Sequence, residues 1–154
     1  HSKIPVWIIK YIKNTFVHLC RKKYKRKIKI FIDRSDSKYN HCKLINNRSI
    51  INYLKRRGFE IIKLSDLKLK EQIEKFFNAK IIIGPHGAGL ANLIFCKKLT
   101  KVIEIRPANH PNKVYERISK INNLSYKLIS LDYIKDNNEG DMELNLNLLS
   151  KYIS

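Results

Sequence analysis

The stretch Ile81-Ile82-Ile83-Gly84-Pro85-His86-Gly87-Ala88-Gly89-Leu90-Ala91-Asn92-Leu93-Ile94-Phe95 decides how this chain folds. A short β-branched run enters a turn with three glycines in six residues, and an apolar segment leaves it at once. Glycine accepts φ > 0 and lets the backbone come close to a ligand. A buried strand feeding such a turn, with a helix after it, aims unpaired N–H groups and the positive dipole end at one point. That point suits a phosphate. The spacing matches neither the dinucleotide fingerprint nor the P-loop, because no Gly-Lys-Ser/Thr follows. A strand-to-helix turn whose glycines serve only packing is the alternative. His86 at the apex favours the ligand, since packing gives little reason for a polar ring there.

Outward from the turn, strand and helix patterns alternate. Ile8, Ile9, Ile12, Phe16 and Leu19 are close to helical spacing and predict a helix over 4–20, which the basic run 21–27 links to a strand over 28–33. After a polar loop over 34–43, Asn46 or Asn47 is expected to cap a helix that buries Ile50, Ile51 and Leu54. Gly58 stands where a C′ glycine would close that helix. A strand over 59–64 follows, then a helix from Ser65 or Asp66 with Leu69, Ile73, Phe76 and Phe77 inward. Strands over 81–84, 101–106 and 126–131, a helix over 112–122, a loose polar stretch over 132–141 and a closing helix over 144–153 complete the pattern. No internal repeat interrupts it. The class is α/β: a Rossmann-like, doubly wound parallel sheet of about five strands, in the order 2-1-3-4-5, with helices on both faces. Residues 1–27 read as a basic N-terminal helix and linker, and 28–154 as the Rossmann-like domain.

Composition limits the rest. A chain of 154 residues, 44% hydrophobic, with five glycines and four prolines, is globular. Its net charge of +19 points to an anionic partner, a nucleotide, a nucleic acid or an acidic membrane surface. A plainer source is base composition, because Lys, Ile and Asn make up about two fifths of the chain. Cys20, Cys42 and Cys96 are odd in number and widely spaced, which predicts neither a disulfide framework nor a zinc site. Lys10 and Lys13 interrupt the most apolar early stretch, so no membrane span is expected there. The first residue is His1, so the chain is expected to be part of a longer one.

In doubly wound sheets ligands bind beyond the carboxyl ends of the strands, where strand order reverses. That edge offers Arg34 after the first strand, His86, Gly87, Ala88, Gly89 and Leu90 after the third, and Glu104 near the end of the fourth. A guanidinium, a row of backbone N–H groups and a carboxylate suit a nucleotide diphosphate joined to a polyol.

On these elements the chain resembles the C-terminal half of family 61 glycosyltransferases, over residues 28–107. The resemblance runs through Ile32-Asp33-Arg34, Gly58-Phe59-Glu60-Ile61-Ile62 and Leu69-Lys70-Glu71-Gln72-Ile73. Its most specific part is Ile83 through Phe95, then Val102-Ile103-Glu104-Ile105. It implies an inverting GT-B transferase that takes a sugar from a nucleotide donor, usually UDP-linked, to a glycan or glycoprotein acceptor. No cofactor and no catalytic metal are implied. The acceptor site and the catalytic base would belong to an N-terminal GT-B domain outside these residues, so this chain alone is expected to transfer no sugar. Two positions depart from the family pattern: Lys97-Lys98-Leu99 replaces a Pro-Gly turn, and Asn46-Asn47 replaces Asn-Glu.

Each candidate has two readings. Arg34 pairs with the diphosphate, or is an exposed loop arginine. His86 eases charge on the departing diphosphate, or braces the turn through a backbone carbonyl; it is the one catalytic candidate. Glu104 accepts from sugar hydroxyls, or pairs with Arg106 or a lysine. Asn92 serves capping or packing. Trp7, Tyr11 and Phe16 form a seam against the N-terminal domain, although a peripheral contact with an anionic membrane also fits their basic helix. Two functions of other classes are a non-catalytic sugar-nucleotide-binding domain and a basic nucleic-acid-binding module. Scattered charge and the lack of a nucleic-acid motif make nucleic acid the unexpected partner.

Overall fold

The computed structural model describes residues 4–18, 28–35, 42–132, 134 and 140–153. Among them five strands, β1 (Ile28–Ile32), β2 (Phe59–Ile62), β3 (Ala79–Pro85), β4 (Lys101–Pro107) and β5 (Ser125–Leu131), pair in parallel in the order β2-β1-β3-β4-β5. This is the predicted order, with residues 81–83 in the central strand. The helices are α1 (Val6–Val17), α2 (Asn47–Lys55), α3 (Leu69–Asn78), α4 (Val114–Ile121) and α5 (Leu146–Ile153).

Strands buried on both faces alternate their side chains between two cores. Ile30, Ile32, Ile82 and Val102 face a layer that includes Ile9, Ile73, Phe76, Leu90, Leu93 and Ile118. Phe31, Ile83, Ile103 and Ile105 face Ile50, Leu54 and Leu149 on the other side. Thus α2, which joins β1 to β2, covers one face, while α3 and α4 cover the opposite one. The connections leaving β1 and β3 therefore diverge, and the crevice between their C-terminal ends is the switch point.

Several boundaries differ from expectation. Cys20 and residues 21–27 lie outside the described residues, as do parts of the expected loops over 34–43 and 132–141. β2 stops at Ile62, a 3-10 turn occupies Leu64–Asp66, and α3 starts at Leu69, where the Lys68 N–H donates to Glu71 Oε2 at 2.8 Å. Leu69 is consequently 53% exposed, not part of the core face. Asn46 stands at the N-cap of α2, but its side chain does not cap. It donates instead to the Leu144 carbonyl (2.8 Å) and accepts from the Leu144 N–H (3.2 Å), clamping α2 to the segment before α5. The C-cap of α2 is Arg56, and Gly58, at φ 75°, turns the chain into β2 two residues later.

The segment after the glycine turn is the clearest difference. Ala88–Phe95 is a 3-10 helix, not an α-helix. Its side chains explain why the tighter coil persists: Leu90 and Leu93 are buried at an i, i+3 spacing that eclipses in a 3-10 helix. Asn92 fastens it to α3 by donating to Gln72 Oε1 at 3.1 Å. At its far end the Lys13 ammonium donates to the Cys96 carbonyl at 2.6 Å, and burial lowers the pKa of that amine. α1 is thus part of this domain's packing: Ile9 is fully buried and Phe16 meets Phe95 edge-on at 6.4 Å. Trp7 and Tyr11 point the other way, 68% and 66% exposed.

Candidate functional site

Arg34 follows β1 by two residues, at the switch point, and its guanidinium donates through Nη1 to the His86 carbonyl oxygen. A Cβ built on Gly87 would fall on that guanidinium. Glycine is needed at 87 for space above the backbone, and the space is filled by arginine. Gly84 and Gly89 do not have positive φ, contrary to the expectation for this turn. Gly84 sits inside β3, where a Cβ would press on Ile32 at 3.2 Å; at Gly89 it would meet Leu64 Cδ1 at 2.6 Å. Both are close-packing glycines. Packing thus explains Gly84 and Gly89, and the arginine explains Gly87.

His86 leaves β3 with its N–H on the Ile105 carbonyl (2.7 Å), so the ladder with β4 continues through it. Its side chain is only 6% exposed. Nδ1 lies 2.5 Å from Glu104 Oε1, and the ring touches His110 and Tyr115 with centroids at 4.0 and 5.0 Å. The brace is a carboxylate, where a backbone carbonyl was one expectation. Strand pleat produces this contact: Gly84 is registered with Glu104, and His86 lies two residues on, on the same face.

Glu104 is completely buried. Its second oxygen accepts from the Tyr126 hydroxyl at 2.6 Å, and Arg106 stands 3.9 Å from Oε1. The expected Arg106 pairing is therefore the longest of three contacts. A carboxylate this enclosed orients its neighbours and does not itself meet a hydroxyl from solvent. Ala88 is exposed on the outside of the turn and Leu90 is fully buried beneath it; the Leu90 N–H donates to the Gly87 carbonyl at 3.0 Å.

Residues that sequence reasoning did not single out complete the site. Asp33 is buried and accepts from Asn47 Nδ2 (2.9 Å) and from the Ser35 N–H and hydroxyl (3.0 Å each), tying the end of β1 to the start of α2. Tyr126, Tyr115 and His110 gather around Glu104 and His86. No sequence signal singles out Tyr126: its register opposite Val102, one pleat from Glu104 on the same face, exists only in the folded sheet. An open cleft of about 620 Å³, lined by Asn46, Ser49 and residues 143–147, lies at the N-terminal ends of α2 and α5 and includes none of the expected site residues.

Burial, then the hydrogen bond to Glu104, pushes the Tyr126 hydroxyl pKa upward; burial, then the Glu104 charge, pushes Tyr115 up to about 12. A tyrosine with a raised folded-state pKa keeps its proton while the unfolded chain loses it near pH 10. Its stabilising term is complete below about pH 10 and is lost as pH rises further. Chemical denaturation should therefore show the wild-type midpoint falling more steeply than that of Tyr126→Phe between about pH 9 and 11. Equal slopes would mean that the Tyr126–Glu104 bond contributes nothing.

Comparison with known proteins places these residues in context. Residues 1–103 match the family described as Glycosyltransferase 61. The match starts well before residue 28, where the resemblance began, and includes Arg34 and the turn through Leu90 but stops just short of Glu104. A beta-1,2-xylosyltransferase of Oryza sativa subsp. japonica is 35% identical over 65 residues, 42% of this chain and 12% of that protein. A beta-1,2-xylosyltransferase of Arabidopsis thaliana is 31% identical over 68 residues, 44% of this chain and 13% of that protein. The chain thus matches about an eighth of the length of these relatives.

Proposed function

The chain belongs to the glycosyltransferase 61 family, and from that premise we propose that it is the nucleotide-sugar-binding half of an inverting GT-B glycosyltransferase. The donor is UDP-linked, the acceptor is a glycan or glycoprotein, and no catalytic metal takes part. The observation that carries this reading is the meeting of Arg34 with the Gly87 turn across the junction of β1 and β3. A guanidinium held at a switch point beside the start of a 3-10 segment offers charge and backbone donors to one anion. Arg34 with the backbone of Gly87 and Ala88 forms the donor-facing wall, and His86, Gly89 and Leu90 support it from behind. Glu104 supports that wall from beneath. The outward pair Trp7 and Tyr11 would meet the acceptor-binding half, whose closure over the donor supplies the rest of the active site.

The charge of +19 requires a test against nucleic acid. Calorimetry with UDP-sugars and with single-stranded DNA, at about 50 and 200 mM salt, separates the two. UDP-sugar binding should fall only a few-fold between those conditions, whereas a protein tracking several phosphates loses about a thousandfold or more. Tighter binding to DNA, with that steep salt dependence, would replace the donor reading with the nucleic-acid one.

A further inference from the structure

The connection from β4 to α4, residues 108–113, is held in place more firmly than a solvent loop requires. The Arg106 side chain, 7% exposed, donates through Nη1 to the Asn112 carbonyl at 2.5 Å and stands 3.9 Å from Glu104 Oε1. The His110 N–H donates to the Pro107 carbonyl at 3.1 Å. The same carboxylate that orients His86 thus neighbours the arginine that fixes this loop. The loop sets the ring of His110 against the ring of His86, with centroids 4.0 Å apart and planes tilted by 48°. His86 is buried, whereas His110 is partly exposed. Of the two imidazoles, His110 is the one a ligand at this edge can reach.

The Asn112 N–H donates to His110 Nδ1 at 3.3 Å, an arrangement that assigns the ring proton of neutral His110 to Nε2. An N–H donor of this kind suits a phosphate oxygen. We propose that His110 is the imidazole that contacts the donor's diphosphate, and that His86, locked by Glu104 and Tyr126, is a positioning residue that acts through it. The proposal rests on the nucleotide-sugar reading above.

His110→Phe tests it, because a phenyl ring keeps the cover over His86 and removes the N–H donor. Calorimetry with UDP, and with uridine as the probe lacking phosphate, reads the effect. His110→Phe should lose about tenfold in UDP affinity, the scale of one hydrogen bond to a charged group, with uridine binding unchanged. Its Tm should stay within a few degrees of wild type, and His110→Gln, which retains a donor, should recover part of the affinity. Wild-type UDP affinity in His110→Phe would show that the ring only covers His86 and would overturn the proposal while leaving the donor reading intact. If the phenyl ring disturbs the loop, His110→Ala against His110→Gln gives the same comparison: a gap near tenfold supports the contact, and equal affinities overturn it. Failure of the wild-type protein to bind UDP would overturn both readings.

Discussion

His86→Ala should lower the Tm by roughly 6–12 °C, a loss of about 3 kcal/mol in a domain of this size. The reason is what the truncation leaves behind. Glu104 is fully buried, and its Oε1 would lose the ring nitrogen 2.5 Å away while keeping only Arg106 at 3.9 Å. An uncompensated buried carboxylate costs more than the hydrogen bond that was removed. Donor affinity should fall with stability if the ring supports the donor-facing surface proposed above. His86→Gln, which keeps an N–H donor, should regain part of the loss. The double variant His86→Ala/Glu104→Ala should be less destabilised than the sum of the two single changes, because losing the ring strands no carboxylate once Glu104 is gone. Thermal melts at neutral pH decide the matter: a His86→Ala protein that melts like wild type would show that Glu104 is not held by this ring.

Gly87→Val should reduce UDP-sugar affinity at least tenfold, whereas Gly89→Val should act mainly on stability. A side chain at 87 must displace the Arg34 guanidinium from the His86 carbonyl, which removes the cation from the switch point. A side chain at 89 pushes on Leu64 instead, a packing conflict remote from the anion. Calorimetry on folded Gly87→Val protein gives the result. Unchanged affinity would mean that Arg34 does not serve the ligand from this position.

The sheet was legible because its strands are apolar on both faces and are bounded by strong punctuation. Gly58, the Gly84–Gly89 turn and Pro107 mark strand ends that no helix pattern could absorb. The alternation predicts parallel pairing, while the expected order 2-1-3-4-5, which the sheet adopts, is one of two common doubly wound orders. The 3-10 coil was not legible, since Leu90, Leu93 and Ile94 fit an α-helical stripe equally well, and only burial against α1, α3 and α4 selects the tighter turn. The segment that places Arg34, His86 and Glu104 on one edge could be read from sequence, because topology assigns every strand end to that edge. The relations among those residues could not. His86 contacts Glu104 through pleat and register across two strands, and Tyr126 joins them from a third. Such contacts depend on face as well as edge, and an apolar strand buried on both sides carries no hydrophobic alternation from which to read its faces.

The interlock of Arg34 with Gly87 also constrains how this fold can change over generations. The two residues lie on separate strand ends, yet what position 87 can accept depends on what stands at 34. A larger residue at 87 is excluded while the arginine occupies the space above it. A lineage that altered the turn would first have to shorten residue 34, losing its guanidinium before gaining anything at 87. That intermediate has the weakest grip on an anion of any step along the route, so selection for donor binding would keep the pair together. Drift should accumulate elsewhere, on the lysine-rich surface, where substitutions carry no such order.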